Sequence, residues 1–314
     1  MHTTGAGAPV RRNGDILILN GGALDTEVGA RLFLRGVDTV FRSVGQLGVS
    51  VTHGTARAFE TEGGRDLATY GMVQVASYPR PTATLMSAVN ACLEATGAPT
   101  VASASIAAPT KLYQCVRLVL AGLPVPETHY LPTPFLRHHH DRLVRRLGSP
   151  FVLKAMTGSC GRHNFLVGDE ESFRAVVDDP AHSGLLFLAQ RFVPNNGTFR
   201  LLVFGDEVSV VMHRCNTDGG HLTNTARGAH ATLFDTGTFD DGVKRIAVRA
   251  ARLMGCDVAG VNVVQHRGDG SWHVLEVTPS PALGTGAFVD AKLDAYTAYL
   301  ERTLGAASEP VGTR

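Results

Sequence analysis

FVLKAMTGSCGRHNFLV, Phe151 to Val167, is the stretch from which the rest of the chain can be read. An apolar run carries one lysine, Lys154, and leads into a turn with Gly158, Ser159 and Gly161 before a second apolar run begins. Short apolar runs bounded by glycine read as strands, so the segment is a strand, a glycine loop and a strand. An ammonium inside such a strand is expensive to desolvate and needs an anionic partner or a route to water. A phosphate beneath the glycine turn would serve, since the turn's N–H groups approach oxygens closely. A structural carboxylate, or a stem that snorkels to the surface, would serve equally. Lysine is scarce here: the 29 basic residues are 25 arginines and Lys111, Lys154, Lys244 and Lys292.

Upstream, DILILN from Asp15 reads as a buried strand, followed by a helical segment from Leu24 to Arg35 that stops at Gly36. The Gly- and Thr-rich stretch to about Gly64 gives no clear element. A strand at Met72 to Ser77, a helix near Thr82 to Thr96 and a strand at Pro99 to Ser103 complete an alternating α/β unit, residues 1–103. A helix is expected from Pro109, with Leu112, Cys115, Val116 and Val119 on its apolar face and Gly122 after it. A second helix falls near His138 to Leu147, and after Val167 come a helix at Asp169 to Val177 and a strand ending near Val193. Residues 104–193 thus form an α+β subdomain.

Residues 194–306 are richer in strands. Arg200 to Phe204 and Glu207 to Cys215 flank the two-residue turn Gly205-Asp206, and His266 and Trp272 flank another turn at Gly268 to Gly270. Between them Asp240 to Met254 is helical, with Val243, Ile246, Ala247, Ala250 and Met254 on one face. Residues 307–314 read as a tail, with fraying from Gly305.

Of the 314 residues, 44% are hydrophobic, and 29 basic against 28 acidic groups leave a net charge of +1. That gives no electrostatic case for nucleic acid or a membrane surface. No apolar run approaches the roughly 18 residues of a membrane span, and Met1 to Gly14 lacks the pattern of an export signal, so a soluble cytoplasmic protein is expected. Five scattered cysteines without a CxxC pair argue against a disulfide framework or a structural zinc site. There is no GxxxxGK followed by Ser or Thr, and no GxGxxG between a strand and a helix, so a nucleotide site must be built otherwise.

A second constellation lies in AGVNVVQH and SWHVLEVTPSP. On two adjacent strands Glu276 and Thr278 share a face, and Asn262 can face them across the pair. Oxygen ligands on one face suit magnesium, and a structural ion pair is the commoner use of a buried strand glutamate. Arg200, in TFRLLVF, and Asn224 with Arg227, in HLTNTARGA, are further candidates for binding carboxylate or phosphate.

In this order the fragments resemble the ATP-grasp superfamily and, within it, the RimK-like carboxylate–amine ligases. GSCGR (Gly158 to Arg162) and TNTARG (Thr223 to Gly228) look most like the loops of lysine-biosynthesis ligases that act on an amino-group carrier protein. The resemblance implies a three-part architecture, an N-terminal α/β domain followed by two α+β subdomains that clasp ATP. It implies that Lys111 and Lys154 hold phosphates, that Gly158, Ser159, Gly161 and Arg162 cover them, and that the backbone of Gln190, Arg191, Phe192 and Val193 binds adenine. Arg200 would face the transferred phosphoryl group, Asn224 and Arg227 the acyl phosphate or substrate, and Arg80, after Pro79, the acceptor site. Glu276 would bridge magnesium or manganese, with Asn262 and Thr278 as its companions. The implied partners are an amino acid or peptide and a small acidic carrier protein, and the implied assembly is a dimer or tetramer.

Two departures stand out. The family's Asp-Glu-Asn metal set is Asn262-Glu276-Thr278 here, which removes one of two formal negative charges and weakens attraction for a divalent ion. The acidic residue two before Arg200 is Thr198. A ligase is therefore weighed against a nucleotide-binding protein without turnover and against a kinase that phosphorylates a hydroxyl. The histidines at 138 to 140 splay around a helix and read as surface, and His213 and Cys215 read as packing.

Overall fold

The structure, a computed structural model, describes residues 14–19, 23–52, 54–75, 80–102, 110–157, 163–215, 230–279 and 281–308. The chain divides into two units, Met1–Ala107 with Asp290–Arg314, and Ala108–Val289.

In the first unit, β1 (Ile16–Leu19) is buried at every residue, as a strand covered on both faces must be. After α1 (Ala23–Phe33) the chain returns as β2 (Thr39–Arg42), then forms a hairpin of β3 (Leu47–Thr52) and β4 (Thr55–Glu60). β5 (Met72–Val75), α2 (Arg80–Ala95) and β6 (Thr100–Ala102) follow, giving a parallel sheet in the order β2-β1-β5-β6. The unreadable Gly- and Thr-rich stretch is thus β2 with the β3–β4 hairpin. A polar cluster ties it down: buried Glu60 accepts from Arg42 Nε at 2.7 Å and from the Tyr70 hydroxyl, and the Arg65 guanidinium lies 3.5 Å over the Tyr70 ring.

The second unit opens with α3 (Lys111–Leu120), β7 (Thr128–Tyr130), α4 (Thr133–Leu136), α5 (His140–Leu147), β8 (Phe151–Ala155), β9 (Asn164–Val167), α6 (Glu170–Val177) and β10 (Phe187–Arg191). Its antiparallel sheet runs β7-β10-β8-β9, and the α5 and α6 residues Leu143, Leu147 and Phe173 pack with Phe151 and Leu153. β11 (Thr198–Phe204), β12 (Glu207–Cys215), β13 (His230–Phe234), α7 (Asp241–Leu253), β14 (Val258–Gln265) and β15 (Trp272–Pro279) make a five-stranded sheet in the order β13-β12-β11-β14-β15. Val243, Ala247, Ala250 and Ala251 of α7 pack with Leu201, Val203, Val261 and Val263. Because strand side chains alternate, Lys154 and Arg200 lie on the sheet faces away from these helices.

α8 (Val289–Ser308) ends the described chain and belongs, from Asp290, to the first unit. Arg31 of α1 donates to Asp290 at 2.7 Å and to Asp294 at 2.6 Å. The helix carries regular structure past the expected fraying point at Gly305 and past the expected boundary at residue 306. Among the described residues no helix is long and apolar enough to cross a membrane.

The expected face of α3 needs correction. The helix starts at Lys111, capped by the Thr110 hydroxyl, and Pro109 lies outside the described residues. Cys115 is buried, but Val116 and Val119 are 47% and 55% exposed, and the inward positions are Gln114, Cys115 and Leu118. The polar Gln114 turns inward because its side-chain carbonyl accepts the backbone N–H of Val277 at 2.8 Å, a bond that apolar periodicity does not register. Gln114→Leu, which strands that buried N–H, should cost about 1–3 kcal/mol in urea unfolding. Val119→Ser should change stability by less than about 0.5 kcal/mol. The reverse order would restore the apolar-face assignment.

Candidate active site

β8 is an inner strand between β10 and β9, and its register sets Lys154 opposite Leu188 and Asn164. Lys154 is 6% exposed, so it does not snorkel. Its Nζ donates to the side-chain oxygen of Gln190 at 2.7 Å, and Gln190 Nε2 donates to the Thr128 hydroxyl at 2.7 Å, which donates to the Pro126 carbonyl at 2.8 Å. The partner is therefore a neutral amide, and among the described residues no carboxylate forms an ion pair with this ammonium. Burial pushes the Lys154 pKa below the usual lysine range and the nearby Lys111 cation adds to this, while Glu276 opposes it. Lys111 opens α3, and its N–H donates to the Met156 carbonyl at 3.2 Å, which ties the helix to the end of β8.

On the second sheet β14 lies between β11 and β15. Arg200 stands opposite Asn262, Asn262 opposite Glu276, and Gly260 opposite Thr278, as strand alternation leads one to expect. Arg200 Nη1 donates to the Gly260 carbonyl at 3.0 Å, to Asn262 Oδ1 at 3.1 Å and to the Thr278 hydroxyl at 3.0 Å. A Cβ at residue 260 would sit 2.2 Å from Arg200 Cζ, so only glycine leaves room for the guanidinium. Burial lowers the Arg200 pKa to about 10; the Arg214 charge adds to this and Glu276 opposes it.

Arg214 was not expected. Its Nη2 donates to the same Asn262 Oδ1 at 2.6 Å, its Nε is buried with no partner among the described residues, and burial lowers its pKa. The two-residue turn pairs Phe204 with Glu207, and unbroken pairing from there would set Arg200 opposite Val211. A register shift at Leu202/Val203 sets it opposite Met212 instead and brings Arg214 onto the same face. The shift sends His213 to the opposite face, where its ring lies 4.6 Å from that of Phe199, in agreement with packing. Thr128 and Gly260 were also missed; the one signal was a glycine within an apolar strand.

The metal set fits one divalent ion better than two. Among the described residues no group of three His, Cys, Asp or Glu side chains is placed to hold a metal. Glu276 is the one carboxylate of the set, while the oxygens of Asn262 and Thr278 already accept from Arg200. Magnesium manages with one or two carboxylates when phosphates and water complete its shell.

The other candidates are less gathered. Gln190 faces Lys154; the Arg191 N–H donates to the Glu127 carbonyl at 2.8 Å, and its side chain pairs with the Glu127 carboxylate at 2.6 Å. Phe192 is half-buried and Val193 is buried. Gly158, Ser159, Gly161, Arg162, Asn224 and Arg227 lie outside the described residues, and Arg80 opens α2 with its side chain undescribed.

The site thus gathers Lys111, Lys154, Arg200 and Arg214 against one carboxylate, which suits a polyanion bearing phosphate. A pH dependence follows from Lys154. Below its depressed pKa the side chain is charged in both the folded and unfolded chain; above the ordinary lysine value of about 10.4 it is neutral in both. Between the two the unfolded chain holds the extra proton, so stability from this group rises with pH. In urea titrations run upward from neutral pH, the wild type should gain stability relative to Lys154→Met. A constant difference would contradict the burial of a charged lysine.

A model of the RimK-like ATP-grasp domain matches residues 115–298. The chain is 33% identical over 168 residues to a protein of Mannheimia succiniciproducens named "Probable alpha-L-glutamate ligase", covering 53% of this chain and 54% of that one. A protein of the same name from Trichodesmium erythraeum is 30% identical over 213 residues, 65% of this chain and 67% of that one. The chain spans about half the length of most of these relatives. The structure of the ATP-grasp ligase PsnB with minimal precursor, Mg and ADP matches with a TM-score of 0.70 at 20% identity, over 93% of this chain and 99% of that one. D-alanyl-alanine synthetase A from Vibrio cholerae matches with a TM-score of 0.64 at 13% identity, over 96% and 99%. The finer resemblance to carrier-protein ligases rests on two loops outside the described residues. With a family model spanning both sheets of the second unit, the chain belongs to the RimK-like ATP-grasp family.

Proposed function

We propose that the protein is an ATP-dependent carboxylate–amine ligase. A substrate carboxylate oxygen attacks the γ-phosphorus of ATP and the bond to ADP breaks, leaving an acyl phosphate. An amine then attacks the acyl carbon, the bond to the phosphate oxygen breaks, the nitrogen gives up a proton, and an amide and phosphate remain. The observation that carries this reading is Lys154, a buried ammonium that donates to the Gln190 amide oxygen and, among the described residues, pairs with no carboxylate.

Catalysis here is positioning and charge stabilisation. Lys111 and Lys154 bind the polyphosphate, Arg200 faces the transferred group, and Asn224 and Arg227 hold the acyl phosphate or the substrate. Gly158, Ser159, Gly161 and Arg162 cover the phosphates, and the backbone from Gln190 to Val193 receives adenine. Magnesium or manganese on Glu276 would offset phosphate charge. Relatives named for glutamate ligation, and a structure of PsnB complexed with a precursor peptide, support an amino acid or peptide substrate. Arg80 would lie at the acceptor site. A small acidic carrier protein is the macromolecular form of the same acceptor.

Nucleotide binding without turnover is the second reading, favoured by the engagement of Asn262 and Thr278 with Arg200 rather than with free space for metal. The test is phosphorus NMR of ATP with the protein, magnesium, amino acids and peptides, and hydroxylamine. ADP, phosphate and a hydroxamate are expected together, and Lys154→Met or Arg200→Met should lower hydroxamate formation at least about a hundredfold. ADP with a phosphorylated product and no hydroxamate would indicate a kinase. Intact ATP that still raises the melting temperature would favour binding without turnover.

A further inference from the structure

Three cations of the site, Lys154 buried and Arg200 and Arg214 half-buried, share a property that the proposed reaction does not require. Each is held by neutral oxygens: Lys154 by Gln190, Arg200 by Gly260, Asn262 and Thr278, and Arg214 by Asn262. At the centre is Asn262 Oδ1, which accepts from Arg200 at 3.1 Å and from Arg214 at 2.6 Å. A guanidinium only donates, so the amide must present its oxygen to both. Two like charges on one uncharged oxygen leave their attraction for an anion intact. An aspartate of the same shape would pair with both and cancel one charge.

We propose that Asn262 is a positioning residue, an uncharged clamp that aims the Arg200 and Arg214 guanidiniums at the polyphosphate so that they do the charge-neutralising work of a second divalent ion. This rests on the reading of the site as one for ATP. Three independent features fit it. Residue 260 is a glycine where any Cβ would displace the Arg200 guanidinium. Thr278 offers Arg200 a neutral hydroxyl. Among the described residues Arg214 Nε is buried with no partner, a donor left over for an incoming anion. The register shift at Leu202/Val203 then has a use, because without it Arg214 would lie on the other face.

Two consequences are measurable without turnover. A non-hydrolysable ATP analogue should bind in EDTA, losing only part of the affinity it has with magnesium. In its presence the wild type should bind one manganese ion per chain by electron paramagnetic resonance. Asn262→Asp, which keeps the side chain's shape, should weaken binding in EDTA at least about tenfold and bring in a second manganese ion. Arg214→Gln should weaken binding in EDTA by a similar factor without adding a metal ion. Near-ultraviolet circular dichroism of each variant checks that it is folded. A purely structural role for Asn262 would leave the manganese count unchanged. The clamp is overturned if the wild type binds two manganese ions, if the analogue needs a divalent ion to bind at all, or if Asn262→Asp changes neither quantity. Failure of the wild type to bind the analogue even with magnesium would instead overturn the ATP reading itself.

Discussion

The bond on which the site depends is that between the Lys154 ammonium and the Gln190 side-chain oxygen, 2.7 Å long and buried on the face of the β7-β10-β8-β9 sheet away from α5 and α6. It keeps a charge in the interior without neutralising it. A carboxylate there would make the pair self-sufficient, whereas a neutral oxygen fixes the side chain and leaves the charge seeking an anion. Thr128 and the Pro126 carbonyl complete the chain behind Gln190, so the amide itself is fixed in direction. Arg200 and Arg214 follow the same rule on the neighbouring sheet.

Two antiparallel sheets deliver these groups because strand alternation separates two tasks. On one face Leu153, Leu201 and Val261 pack with helix residues and supply the burial that stabilises each layer. On the other face the intervening residues carry the chemistry. The match to the RimK-like domain spans both sheets and extends into the last helix, while Asn262 and Thr278 mark where this chain uses hydrogen bonds to guanidinium.

Much of this was legible in order and spacing. Lys154 inside an apolar strand, the Gly205-Asp206 hairpin and the shared face of Asn262, Glu276 and Thr278 follow from period-two alternation and turn chemistry, and the register agrees with each. What alternation could not supply was a register shift. One extra residue inverts the faces of β12 relative to β11, so Arg214 and His213 exchange roles. Apolar periodicity misses the buried face of α3 for a related reason: Gln114 is inward because it satisfies a strand N–H far away in sequence. The grouping of α8 with the first unit depends on Arg31 meeting Asp290 and Asp294, pairings between distant segments that no local pattern encodes.

Cations held by neutral oxygens, poised for a polyphosphate, are the common thread from strand register to proposed chemistry. The most direct test is an experimental structure of the chain with a non-hydrolysable ATP analogue and magnesium. Polyphosphate oxygens should be found in hydrogen-bond contact with Lys154 Nζ and with the Arg200 or Arg214 guanidinium. A nucleotide bound elsewhere, with these three cations still turned only to Gln190, Asn262 and Thr278, would contradict the account.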